Sequence, residues 1–522
     1  MMLPALSRRS FVASMMAGAA PAGKSRRLCY NYDAWSPFYE GLSAPAIHAN
    51  VDMFAGTQVT TLMLSPNIGQ ALSYPSQVGE MCHSRESAAP VLEQVRSGMG
   101  EMVAQAGMGL ARAWREKRVD GFGLLVEHCL ARGLETFASF RMNDLHMVTL
   151  DGGQGPYTDE FYRRHPEWRV TPRRGLNYAF AEVRRYRLAV LEELLRRYPL
   201  AGLDLDFHRT APFFPASTAE ASAPLMTEFL VQVREMTRRV ARETNRRILL
   251  SARVPSSLVG CRRAGLDPIA WHRQGCLDFL SVAHFLHLFF DLPIEQFQRE
   301  LPGLPIFASL DFIVGGSMDR GVFYAREANA EMYRGAASAA YAKGAHSIYL
   351  FNMFAARANG PDPSGKDWSH REPVEVLKEL GDPRTLRKRG KLYLVDTCIE
   401  TFDQPALDAP AQLPRQTPFS ATLIAGEDHG ARGNFKLRIE AVKLPSEAKL
   451  HVEWNGRDIG TGVLAREVYL FPEPYTQTAR DPRNCLDFAV PAAAVTRGVN
   501  RLSLAGTTGV VIKNIELAFQ PS

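Results

Sequence analysis

Long apolar runs are missing from this sequence. The stretch from Val12 to Ala20 falls short of the roughly 20 residues that span a bilayer, and nothing else comes closer, so no integral membrane segment is expected. Cysteine is scarce. The seven in 522 residues (29, 82, 129, 261, 276, 398 and 485) include no CxxC pair and no dense spacing, which argues against a zinc ribbon or a disulfide scaffold. Cys29 falls on a strand pattern and Cys129 on an amphipathic helix, where thiols are usually buried. No basic run alternates with aromatics, so the net charge of +6 has no nucleic-acid groove to serve; at most it suits an anionic substrate. Internal repeats and low-complexity tracts are absent too. What remains is a chain with 46% hydrophobic and 22% charged residues, the balance of a packed globular protein.

The N-terminus reads SRRSFVASMMAGAAPAG. Arg8 and Arg9 precede Phe11 and a short apolar stretch, and Ala20-Pro21-Ala22 offers a small-residue cleavage site. Residues 1–22 are therefore expected to be a twin-arginine signal, and the protein periplasmic or secreted; an uncleaved tail is the alternative.

The run GLDLDFHR, residues 202–209, alternates Leu203, Leu205 and Phe207 with Asp204, Asp206 and His208. Side chains on a strand change face at every residue, so one face is apolar and the other carries two carboxylates and an imidazole. Seven further strand patterns begin at Leu28, Val59, Leu134, Ile248, Leu277, Pro305 and His346, with helix patterns between them, as from Asp120, Glu182, Leu225 and Asn329. Eight strands alternating with helices predict an α/β chain, a (β/α)8 TIM barrel over residues 26–388. Two long insertions follow strands two and three, from Ser65 to about Arg118 and from Leu145 to about Tyr178. Their rings, among them Tyr74, Tyr157, Phe161, Tyr162, His165 and Trp168, suit either platforms for sugars or anchors for the loops. Past a basic connector and a Pro-rich linker (389–413, with a first strand), short alternating runs from 414 to 522 predict an accessory β-sandwich, which either braces the barrel or binds carbohydrate.

Active sites of such barrels lie at the C-terminal ends of the strands. There the alternation places Asp33, Arg141, Asn143, His146, Asp204, His208, Arg253, His284 and Asn352 as substrate-binding candidates and Asp206 with Asp311 as a catalytic pair. Strands four and seven face each other across the lumen, and two opposed carboxyl groups are what glycoside cleavage requires: one protonates the leaving oxygen, the other attacks or activates water. Asp204, deeper in its strand, equally suits a buried partner for Arg141, Arg253 or a backbone amide. His284 and His287 flank apolar residues and suit core packing as well as function. No cofactor motif is present.

GLDLDF resembles the strand-four motif of family 18 chitinases, but His208 stands where that motif ends in a catalytic glutamate, and Ala201 where it begins with an aspartate. A broader resemblance is to the family 10-like group of glycoside-hydrolase-like barrel proteins, through GLETFASFRMNDLH (133–146), HPEWRV (165–170), residues 176–209, GLDPIAWHRQGCLDFLSV (265–282) and GAHSIYLFNMF (344–354). That likeness implies a secreted enzyme acting on polysaccharide, with Arg141, Asn143, Asp206, His208 and Asn352 near the sugar. Two rivals stay open. One is a metal-dependent hydrolase using Asp204, Asp206, His208 and His284, although strand one lacks an HxH pair. The other is a carbohydrate-binding barrel without catalysis, since strand four has no glutamate.

Overall fold

The computed structural model describes residues 26–32, 36–38, 42–84, 98–148, 155–171, 174–209, 213–319, 322–353, 374–395, 418–428, 430–472, 480–507 and 509–522. The expected signal, Asp33, Cys398 and most of the linker lie outside them. Eight parallel strands close into a barrel: β1 (Leu28–Tyr32), β2 (Thr61–Leu64), β3 (Glu135–Arg141), β4 (Gly202–Asp206), β5 (Leu249–Pro255), β6 (Phe279–Ala283), β7 (Ile306–Leu310) and β8 (Ser347–Leu350). Each pairs with its sequence neighbour and β8 returns to β1, so all eight strand patterns fall in the barrel wall.

The alternation in β4 does what its chemistry requires. Leu203, Leu205 and Phe207 pack outward into the main core between sheet and helices, and Asp204 and Asp206 point inward. A separate apolar plug of Cys29, Met63, Phe137, Leu249, Phe279 and Phe307 fills the lower lumen, where the rings of Phe279 and Phe307 stack at 4.4 Å, and Tyr349 and Phe351 continue it upward. Gly202 makes room for it: a Cβ there would meet the Phe137 ring at 2.3 Å and the Leu249 carbonyl oxygen at 2.6 Å. Below it, Arg27 over the Phe279 ring and Glu135, which accepts from Arg27 and Thr61, close the N-terminal end of the barrel.

Two antiparallel sheets follow. Labelling their strands β9 (Lys391–Leu394), β10 (Phe419–Ala425), β11 (Gly433–Ala441), β12 (Leu450–Trp454), β13 (Arg457–Thr461), β14 (Val463–Leu464), β15 (Cys485–Val490), β16 (Gly498–Gly506) and β17 (Ile512–Pro521), one sheet runs β9-β17-β11-β15-β14 and the other β10-β16-β12-β13. Strand β9 lies against the barrel helix Ala330–Ala342, whose small face admits it closely: a Cβ on Gly335 would meet the Leu392 carbonyl oxygen at 2.2 Å. Asn329 caps that helix by accepting from Met332 N at 2.9 Å and donates to the Pro472 carbonyl at 3.0 Å. The buried Lys391 ammonium meets Glu427 at 2.7 Å. These contacts are what bracing requires.

The ribbon of Ile313–Asp319 with Val322–Glu327, directly after β7, was not foreseen from the sequence. Three of the insertion aromatics act as anchors. Tyr74, Tyr157 and Tyr162 are fully buried, Tyr74 donates to Glu193 at 3.0 Å, Phe161 stacks on Tyr186 at 4.0 Å and His165 on Trp168 at 3.6 Å. None of the three buried tyrosines offers a sugar platform. The six described cysteines are buried and not joined in disulfides, and among the described residues no helix is long and apolar enough to cross a membrane.

Where the insertions meet, His83 is buried edge-on against Tyr157, neither ring nitrogen has a hydrogen-bond partner, and burial lowers its pKa to about 4. Its unfolded value is near 6.5. The folded value is depressed, so the stability from a neutral ring is present above about 6.5 and is lost as pH falls toward 4. His83→Asn, which tolerates the left-handed backbone at φ +54°, removes that dependence. Between pH 7 and pH 5 the wild type is expected to lose roughly 2 kcal/mol more unfolding free energy than the variant. Urea titrations at both pH values check it, and equal losses would refute it.

Candidate active site

Above the apolar plug the lumen becomes polar in two tiers. In the lower tier Asp204 accepts from Ser139 Oγ and Ser251 Oγ, each at 2.8 Å, and from the Tyr349 hydroxyl at 3.1 Å. It is fully buried, and burial, aided by the neighbouring Asp206 charge, raises its pKa to about 6. Its partners are thus three hydroxyls, not Arg141, Arg253 or an amide. Three donors around a carboxyl just above the apolar plug make Asp204 a support for the strands around it, one tier below Asp206.

In the upper tier Arg253 lies between the two carboxyl groups proposed from the sequence. Register pairs it directly with Asp206. Its Nη1 donates to the Asp206 oxygens at 3.2 and 3.4 Å, Nη2 stands 3.8 Å from Asp311 Oδ2, Nε donates to Ser309 Oγ at 3.1 Å, and the guanidinium lies 3.6 Å from the Phe351 ring centroid. Asp206 Oδ1 also accepts from His208 N at 3.0 Å. Asp311 accepts from Phe312 N at 3.0 Å, and no hydrogen bond reaches its Oδ2. Burial raises its pKa to about 7, against the opposing pull of Arg253 and a smaller one from Asn352. One guanidinium thus holds Asp206 in a close ion pair and stands off from Asp311. Both are buried, at 0% and 1% exposure, which corrects the expectation of Asp206 at a solvent-filled mouth.

A second ion-pair network flanks this one. Asp144 receives Arg141 Nη1 at 3.4 Å, Gly69 N at 3.2 Å and His146 N at 3.0 Å, while the His146 ring bridges Asp144 and Arg209. Burial would raise the Asp144 carboxyl, but His146, Arg141 and Arg209 together hold it well below the usual carboxylate range. Arg141 is therefore the counterion of Asp144, a residue outside the candidate set. Asn143 corrects its expected role: its amide donates to the Leu176 carbonyl at 3.2 Å and accepts from Leu176 N at 2.7 Å, pinning the second insertion instead of facing a sugar.

His208 and His284 do reach the upper tier. Burial and the Arg253 charge push the His208 ring well below its ordinary pKa, and burial takes His284 to about 3. Asn352, just beyond β8, is buried in the left-handed region at φ +51°, a conformation that asparagine tolerates better than most residues. Leu286 is at φ +62° on the segment after β6. Strained backbone of this kind gathers at functional sites. Among the described residues no group of three or more His, Cys, Asp or Glu is arranged to hold a metal ion. The cation that meets Asp206 and Asp311 is Arg253 itself, a poor setting for a second one.

No protein-family model matches the chain, and no curated protein does. Among solved structures, a maltogenic alpha-amylase from Thermotoga neapolitana aligns over 91% of this chain and 98% of its own at 11% identity, with a TM-score of 0.36. A chitinase from Bacillus thuringiensis aligns over 94% and 100% at 10% identity and 0.39. A family 18 chitinase from Chromobacterium violaceum aligns over 92% and 88% at 11% identity and 0.38. Scores this low lend this chain no residue roles and no activity; its fold rests on its own strand order.

Proposed function

We propose that the chain is a glycoside hydrolase, exported through its twin-arginine N-terminus, in which Asp311 donates the proton and Asp206 is the ionised partner. The observation that carries this reading is the asymmetric grip of Arg253, 3.2 Å from one carboxyl and 3.8 Å from the other. Paired carboxyls held in unlike environments, one ion-paired and one raised by burial, divide into acid and base. In the reaction, the Asp311 proton passes to the glycosidic oxygen, which keeps the electron pair of the breaking bond to the anomeric carbon, and water supplies the new oxygen there. As Asp311 loses its proton it becomes an anion facing Arg253, so the guanidinium stabilises charge that develops during the step. Arg253 is in this reading a positioning residue and not a grip for the substrate. The separation of the carboxyls in the substrate complex decides whether Asp206 attacks or activates water. The family 10-like sequence resemblance points the same way.

A second reading, a barrel that binds carbohydrate without cleaving it, is favoured by the burial of both carboxyls. Reducing-end release from a panel of neutral and acidic polysaccharides separates the two, with Asp311→Asn as the blank. Release by the wild type but not by the blank is expected. Binding without release would replace the first reading with the second, and neither binding nor release would overturn both.

A further inference from the structure

His287 was not among the residues proposed to bind substrate, yet it is a buried imidazole on the segment that follows β6. It is 2% exposed, and neither ring nitrogen has a hydrogen-bond partner. Leaving a buried polar group unpaired costs stability, and a phenyl ring would fill the same space without that cost. The segment holding it is tied to the one that carries Asp311: Ile313 N donates to the Leu286 carbonyl at 3.0 Å and Leu288 N to the Ile313 carbonyl at 2.7 Å. The left-handed Leu286 between the two histidines brings their rings to 5.3 Å, with Phe289 4.9 Å from His284. A strained turn, an unpaired imidazole and a flanking aromatic ring thus lie on the segment whose backbone pairs with Ile313, two residues past the proposed proton donor.

We propose that His287, with His284, hydrogen-bonds the hydroxyl groups of an uncharged sugar residue next to Asp311. This rests on the glycosidase reading and adds the substrate class to it. An imidazole that stays neutral presents one donor and one acceptor, the match for a hydroxyl, and offers no charge to a carboxylate or sulfate. Burial supports that state, taking His287 to about 4. The nearby guanidiniums have partners already: Arg141 with Asp144, Arg209 with His146, and Arg253 with Asp206 and Asp311.

The test uses the full chain carrying Asp311→Asn, so that bound glycans are not cleaved, and calorimetric titration with malto-, cello-, xylo- and chitohexaose and with oligogalacturonate and heparin hexasaccharide. Binding is expected from a neutral hexasaccharide. Adding His287→Phe should weaken it about tenfold, the worth of roughly one hydrogen bond, while the melting temperature holds or rises. Adding His287→Gln, which keeps a donor and an acceptor, should retain most of the affinity and covers the case in which the phenyl variant fails to fold. Unchanged affinity in the folded phenyl variant, or in its place a glutamine variant that binds no better than a His287→Ala variant, overturns this assignment and leaves the glycosidase reading standing. Binding confined to the anionic glycans overturns the substrate class alone. A panel that is neither bound nor cleaved overturns both proposals.

Discussion

Asp311→Asn is expected to lower glycosidic turnover by roughly 10²–10⁴-fold, the usual contribution of a general acid, in a protein that still folds. The side chain keeps its shape, and its Oδ1 still accepts from Phe312 N. What disappears is a proton held near neutrality by burial, with a folded pKa of about 7 against about 3.9 for an unfolded aspartate. Two pH signatures follow. Activity of the wild type should fall as pH rises past about 7, because the donor is then empty. Stability moves with it: a folded pKa raised above the unfolded one contributes stability that is complete below about 3.9 and is lost as pH rises through about 7. The asparagine variant, never charged, should therefore gain on the wild type between pH 5 and pH 8. Profiles of kcat/KM against pH and melts at the two pH values check both signatures. Full turnover in the variant would remove Asp311 from the chemistry.

Much of this arrangement is local enough to read in sequence. The alternation of GLDLDFHR sets the two faces of β4 whatever surrounds it, and the recurrence of strand and helix patterns dictates the barrel. Arg253 was named as a natural counterion, and parallel register between adjacent strands is what brings it opposite Asp206. Depth is what the pattern hides. Asp204 and Asp206 are two residues apart on one face, yet the first meets only hydroxyls and the second a guanidinium, because the stagger of the strands decides which tier each enters. Asn143 looks like its neighbours at a strand end, but its partner is the backbone of Leu176, 33 residues on. Asp144 lies one residue off the alternation that picks out Arg141 and Asn143, and its three-sided pairing depends on loops whose courses no periodicity reports. The tyrosines of the insertions were ambiguous for the same reason: an aromatic ring in a long loop looks alike whether it faces a sugar or a helix.

The same depth changes what Asp206→Asn should do. From the sequence, an isosteric change that removes charge but not volume is expected to abolish turnover and spare the fold. The structure revises the second half. Arg253 is fully buried with Asp206 as its one close counterion among the described residues, and stripping one partner from a buried ion pair leaves an uncompensated charge, at a cost of about 3–5 kcal/mol. Asp311, 3.8 Å from the other guanidinium nitrogen, offsets part of it by ionising, so the lower end of that range is expected in urea titrations at pH 8 and a larger loss at pH 5. Any residual activity should then fail at a lower pH, because Arg253 now draws the Asp311 proton away sooner. The double variant Asp206→Asn, Arg253→Met separates the charge from the residue. Removing both ions at once relieves the unpaired cation and sets an apolar chain against Phe351, so stability should return toward the wild-type value while turnover stays lost. If the single variant were as stable as the wild type at pH 5, where Asp311 is largely protonated, the ion pair would not be the element that holds this tier together.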